Sequence, residues 1–126
     1  EHKTIAALGL AYKPDVDDLR ESPAVEICRL LAAEGAQVLA YEPFKPNAQI
    51  PGVSTVSALA ETMDEADCLL LLVGHTALRQ LDPHTIAQLT KARVAFDCVN
   101  GWSQPVWEGA GFHLYRLGDG KRRRES

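Results

Sequence analysis

Hydrophobic positions along the chain fall into two kinds of segment. Thr4 to Leu10, Gln37 to Tyr41, Cys68 to Val73 and Arg93 to Asp97 are short, nearly continuous apolar runs, the pattern of strands covered on both faces. Helical spacing separates them. Ser22-Pro23 offers an N-cap followed by proline at the first helical position, and Val25, Ile27, Cys28, Leu30 and Leu31 then form an apolar stripe that stops at Gly35. A second helix is predicted from about Ser57, with Leu59, Met63 and Ala66 inward, and a third after Asp82-Pro83, with Ile86 and Leu89 inward. A short run at Val53 to Val56 supplies a fifth strand, and Phe112 to Leu117 has the pattern of an added edge strand. The alternation predicts an α/β fold of three layers, a doubly wound and mainly parallel five-stranded sheet with helices on both faces, Rossmann-like in plan.

Composition narrows the class. With 126 residues there is room for one domain and one core; we expect it to occupy 1–117. The polar stretch 118–126, carrying Lys121-Arg122-Arg123-Arg124, reads as a solvated, disordered tail. The net charge of −4 argues against general nucleic-acid binding. The longest apolar run, Cys68 to Val73, is far too short to span a membrane, and no charged-then-apolar leader opens the chain. Cys28, Cys68 and Cys98 share no close spacing and lie in apolar runs, which suits reduced, buried thiols in a cytoplasmic protein. His2, His75, His84 and His113 are scattered, so no metal site is expected.

In a doubly wound sheet, ligands bind beyond the carboxyl ends of the strands, here after Leu10, around Glu42, after Val73 and after Asp97. The first of these places is unusual. Between Tyr12 and Ser22 the strand-to-helix connection holds Lys13, Arg20, four acidic residues and a proline, whereas a plain connection of this kind needs about two to six residues. Lys13 and Arg20 are suited to neutralising phosphates, and Tyr12 to packing on a ring or donating its hydroxyl. Asp15, Asp17 and Asp18 repel an anion unless each is aimed at Arg20 or at backbone N–H groups. From the residues alone, a binding loop and a merely solvated charged loop both stand.

The stretch Gly9 to Ala24, GLAYKPDVDDLRESPA, combines an aromatic-Lys pair with Asp-Asp-x-Arg-x-Ser-Pro. It resembles, without gaps, the signature that opens the C-terminal domain of the UDP-glucose/GDP-mannose dehydrogenase family. Tyr41-Glu42-Pro43 at the end of the second strand agrees with the family layout, and Val73-Gly74-His75 is similar to the UDP-N-acetyl-mannosamine 6-dehydrogenases. The resemblance implies a three-part enzyme in which a Rossmann domain binds NAD, a central helical region makes a homodimer, and this domain closes over a UDP-sugar. Two hydride transfers would take the C6 alcohol to a carboxylate through an adduct on a central cysteine.

The resemblance further implies that Tyr12 and Lys13 contact the nucleotide-sugar and that Arg20 reaches the NAD pyrophosphate across the cleft. Asp17 and Asp18 would organise the loop and orient Arg20. The chain reads Gly9-Leu10-Ala11-Tyr12-Lys13 where a dinucleotide fold has GxGxxG, and none of its cysteines has the family's Gly-Gly-x-Cys setting. It is therefore expected to be an inactive piece of the enzyme, with NAD held mainly by the rest of the polypeptide. The alternative is a stand-alone regulatory nucleotide-binding module with the same architecture.

One departure concerns the fourth main strand, after which the family often carries a basic residue. Val99 stands there, so either Asn100 supplies a weaker polar contact or a basic contact comes from elsewhere. Asp97 reads equally as a ligand contact or a cap on local backbone. Ser22 is explained by its N-cap role, His75 by a satisfied structural role, and Trp102 and Trp107 by packing. A ribose-binding role for Glu42 lacks the accompanying glycines.

Overall fold

The computed structural model describes residues 3–117; the expected basic tail lies outside the described residues. The chain runs β1 (Thr4–Leu8), α1 (Pro23–Ala33), β2 (Gln37–Tyr41), β3 (Ser54–Val56), α2 (Ala60–Met63), β4 (Cys68–Leu71), α3 (Thr76–Arg79), α4 (Pro83–Leu89), β5 (Val94–Asp97), α5 (Gln104–Gly109) and β6 (His113–Arg116). The strands form one six-stranded sheet in the order β3-β2-β1-β4-β5-β6, and every pairing is parallel. The added edge strand is thus a full sixth member of the sheet.

Strand register levels one end of the sheet. Tyr41 pairs with Leu8 and with Val56, Leu8 with Leu71, Leu71 with Asp97 and Asp97 with Arg116. The six strands end on a single line, and the connections carrying the charged residues leave the sheet side by side. Chain order reverses between β1 and β4, so the switch point lies where the β1–α1 connection departs.

Alternate side chains build two cores. On one face Ala6, Leu8, Leu69, Leu71, Ala95 and Leu114 meet residues of α2, α4 and α5. There the rings of Trp102 and Trp107 stack with centroids 3.9 Å apart, Trp107 tilts against Phe112, and Trp102 Nε1 donates to Leu78 O at 2.9 Å. Both tryptophans are packing residues; such aromatic pairs add about 0.5–1.5 kcal/mol beyond area burial. On the other face Ile5, Ala7, Val38, Ala40 and Leu70 meet Ala24 and Cys28. Among the described residues α1 is the one helix of this layer, and an apolar groove bounded by Ile27, Leu31, Leu70, Phe96, Cys98 and Leu117 stays open beside it.

Helix ends follow their local chemistry. Ser22 Oγ accepts from Ala24 N with Pro23 next to it, and Asp82 does the same for His84 N ahead of α4. The second helix starts at Ala60 rather than Ser57, because Glu61 Oε1 folds back onto Ser57 N and Ala58 N at 3.0 Å each. Three inward positions are corrected. Leu89, the last residue of α4, is 42% exposed. On α1, Leu30 and Ile27 are 56% and 36% exposed, since α1 meets the sheet through the narrower stripe of Ala24 and Cys28 with Leu31 at its side. Two short helices escape the apolar pattern, α3 and α5. Of the three thiols only Cys28 is buried; Cys68 and Cys98 are half-buried at the rim of the open groove.

Candidate functional site

The β1–α1 connection begins at Gly9, whose φ of +96° turns the chain out of the sheet and whose position leaves no space for a side chain, since a Cβ there would lie 2.7 Å from Val73 Cβ. Leu10 and Ala11 follow, both buried, and their N–H groups donate to Glu42 Oε1 at 2.7 and 2.9 Å. Glu42 leaves the end of β2 and turns inward. Its other oxygen accepts from Phe44 N at 2.9 Å, and His75 Nε2 lies 2.9 Å from Oε1. A ribose contact is thereby removed, because both side chains are fully buried.

His75 extends the chain of contacts outward. Its Nδ1 accepts from Asp15 N at 2.7 Å, so the ring proton sits on Nε2 and is donated to Glu42; the tautomer follows from the hydrogen-bond pattern. Asp15 then accepts from Thr76 N and Thr76 Oγ1, both at 2.8 Å. These two bonds, backbone first, hold the Asp15 carboxyl below its ordinary range. Tyr12 N donates to Asp18 O at 2.7 Å, and Ser22 Oγ donates to Ala11 O at 3.2 Å. Hydrogen bonds thus fix the backbone of the charged connection at Tyr12, Asp15 and Ser22, while most of its charged side chains stay exposed. Asp15, Glu21 and, across the site, Asn100 hold positive φ angles of 63°, 56° and 56°, a region that non-glycine residues enter at a cost.

Tyr12 and Lys13 emerge from this frame onto a cavity of about 400 Å³, within the usual range for small-ligand sites. Its walls also include Pro14, Gly74, Arg79, Val99 and Asn100, and no carboxylate lines it. Tyr12 is 57% exposed. Arg20 does not line this cavity. It borders a neighbouring depression shared with Tyr12, Asp18 and Glu21, and a second one with Asp17, Asp18 and Lys45. Its Nε and Nη2 donate to the two oxygens of Asp18 at 3.0 and 2.9 Å, with Arg20 N on the first of them. These bonds, side chain first, pull the Asp18 carboxyl down to about 2 and raise the Arg20 guanidinium. The pair is exposed, Arg20 at 88% of its side chain. Asp17 makes no hydrogen bond or ion pair among the described residues.

On the far side of the switch point, Asp97 is fully buried and caps the backbone that follows it. It accepts from Val99 N, Gly101 N and Trp102 N at 2.9 to 3.1 Å. Arg116 donates to Asp97 Oδ2 at 3.3 Å, to Asn100 Oδ1 and to Trp102 O. Asn100 therefore spends its carbonyl on Arg116, and Arg116 is fully engaged within the fold. Arg79 was invisible in the sequence. It sits at the end of α3 and becomes part of the site because that short helix follows the Gly74-His75 turn beyond β4.

The comparisons fit this geometry. The UDP binding domain of the UDP-glucose/GDP-mannose dehydrogenase family matches residues 6–104. The chain belongs to that family. This UDP-binding domain is 33% identical over 93% of its length to a UDP-N-acetyl-D-mannosamine dehydrogenase of Methanocaldococcus jannaschii, of which it covers 27%. It is 42% identical over 67% of its length to the enzyme of that name from Yersinia pestis, of which it covers 21%. An NDP-N-acetyl-D-galactosaminuronic acid dehydrogenase from Methanosarcina mazei superposes with a TM-score of 0.82 at 28% identity, with 94% of this chain and 25% of that one covered. The chain thus spans about a quarter of the length of the relatives it matches.

Proposed function

We propose that this domain grips the uridine diphosphate of a nucleotide-sugar for an NAD-dependent 6-dehydrogenase, with UDP-N-acetyl-mannosamine as the sugar nucleotide. The observation that carries the reading is the acid-free cavity beyond the strand ends, with Lys13 and Tyr12 presented on its rim by a hydrogen-bonded connection. Lys13 meets phosphate and Tyr12 the nucleoside. Binding energy gathered here, away from the reacting carbon, holds C6 in place for oxidation elsewhere in the longer polypeptide.

NAD would accept the hydride in each of the two oxidations. Among the described residues no glycine turn leads from β1 onto a helix N-terminus to take its pyrophosphate. The turn after β1 is a long charged connection instead of a tight glycine turn, and the N-terminus of α1 is closed by Ser22 and Pro23. Arg20 is the group offered to NAD from across a domain gap, with Asp18 holding it extended and Asp17 shaping the same surface. The longer enzyme is read as a cytoplasmic homodimer.

Titration calorimetry of the chain with UDP tests the grip, and absence of binding at millimolar nucleotide would end it. Mixed with NAD and UDP-hexoses, the purified chain should yield no NADH. Steady NADH formation above a no-protein control would show that the oxidation does not depend on other domains.

A further inference from the structure

Resting on that reading, we propose that Arg79 is the second cation of the nucleotide site, neutralising the outer phosphate while Lys13 neutralises the phosphate next to the nucleoside. Arg79 and Lys13 are the two cations on the wall of the cavity, and no acidic residue faces them there. A nucleotide-sugar carries one negative charge on each of its two phosphates, so a single lysine leaves half of that charge unmatched.

Arg79 is available for the task. Among the described residues its guanidinium makes no hydrogen bond or ion pair. The other arginine on this side, Arg116, is committed to Asp97, Asn100 and Trp102, and Arg20 lies outside the cavity. Asp15 feels the charge of Arg79, but it hydrogen-bonds Thr76 and stands outside the cavity wall.

The arm of Arg79 is also seated. A Cβ at Gly101 would lie 3.1 Å from Arg79 Cγ, and one at Gly74 would lie 3.5 Å from Arg79 Cδ. The missing side chain at Gly101 leaves the slot through which the arginine stem passes, and Gly74 lies in ordinary contact beside it. Val99 shares it, its Cγ2 lying 3.5 Å from the Cβ position of either glycine. Val99 and Arg79 thus stand side by side on one wall, and a guanidinium carried by either would reach the same part of the cavity. Arg suits the role, since its fork meets phosphate oxygens with two parallel bonds. Tyr12 adjoins Lys13 and gives the nucleoside end its ring, which leaves the outer phosphate to Arg79.

The test is calorimetric titration of the 126-residue chain with UDP and with UMP. Arg79→Gln keeps the stem in the glycine slot and removes the charge. It should weaken UDP about tenfold or more, the usual effect of losing a charged hydrogen bond, leave UMP within a factor of about two, and leave the melting temperature unchanged. Lys13→Gln should weaken both nucleotides. Arg79→Gln with Val99→Arg should restore the preference for UDP. Unchanged UDP affinity in Arg79→Gln, or equal losses for UDP and UMP, would overturn the assignment. Wild-type chain that binds neither nucleotide would instead remove the nucleotide reading of the cavity, and this assignment with it.

Discussion

Glu42 and His75, 33 residues apart in the chain, meet 2.9 Å apart with both side chains withdrawn from solvent. Through them the end of β2 and the turn after β4 jointly hold the β1–α1 connection, Glu42 by Leu10 and Ala11 N–H, His75 by Asp15 N–H. Glu42→Ala leaves those two donors, Phe44 N–H and the His75 ring without an acceptor. Each buried unsatisfied group costs about 1–3 kcal/mol, so the variant should lose at least 3 kcal/mol by chemical denaturation, with Glu42→Gln losing less. A loss below 1 kcal/mol for Glu42→Ala would mean that the network does not hold the site.

Gly9→Ala should cost about 2 kcal/mol or more, from an unfavourable backbone angle together with overpacking. Gly52→Ala is its control. It has a φ of +80° but open space around the Cβ position, so it should cost only about 1 kcal/mol. Equal losses in denaturant titrations would show that Val73 yields to the methyl group.

Acid should act on the site connection through Asp18. Its carboxyl is lowered from 3.8 to about 2 by Arg20, so the pair's contribution is present above about 4 and disappears as pH falls toward 2. Exposure keeps the energetic effect small, and NMR titration of the Asp18 carboxyl is the sensitive readout. Arg20→Ala should return its midpoint toward the ordinary value.

Thiol chemistry should rank with burial. Desolvation pushes the Cys28 thiol up to about 12, and it also raises Cys68 and Cys98 from their half-buried positions. With an aromatic disulfide reagent at pH 8, Cys68 and Cys98 should react slowly and Cys28 only after unfolding, because the thiolate is the attacking species. Prompt reaction of Cys28 in native protein would show that α1 opens from the sheet.

In the longer dehydrogenase proposed for this domain, Lys13→Ala should strongly lower kcat/KM for the sugar nucleotide, truncation of a desolvated charged contact costing about 2–5 kcal/mol. Arg20→Ala should raise the KM for NAD more than that for the sugar nucleotide. Equal changes in both KM values together with a lowered melting temperature would restrict Arg20 to folding the loop with Asp18.

Much of this was legible in the chain before any coordinates. Continuous apolar runs marked the strands because both sheet faces were expected to be covered, and Ser22-Pro23 marked α1 because capping is a local matter. Ser103 with Pro105 carries the same signal for α5, but six residues are too few to show a helical stripe. The buried stripe of α1 is narrower than its apolar spacing implies, since periodicity names the side of a helix that faces in without naming which of its neighbours the sheet reaches. Tyr12 and Lys13 came from a local motif. Asp97 stood open between a ligand contact and a local cap, and its bonds to Val99, Gly101 and Trp102 N–H decide for the cap. The inward turn of Glu42 and the place of Arg79 depend on residues brought together by strand register, and nothing adjacent to them in sequence announces it.

The open groove beside α1 has a practical consequence for the measurements above. Its rim of Ile27, Leu31, Leu70, Phe96 and Leu117 offers the folded domain's own surface to environment-sensitive fluorescent dyes, which ordinarily light up on partly unfolded chains. Dye-based thermal scans of this domain should therefore start bright and change little at the transition. Circular dichroism or calorimetry will report its melting, and a dim starting signal that rises at the transition would show the groove closed to the dye.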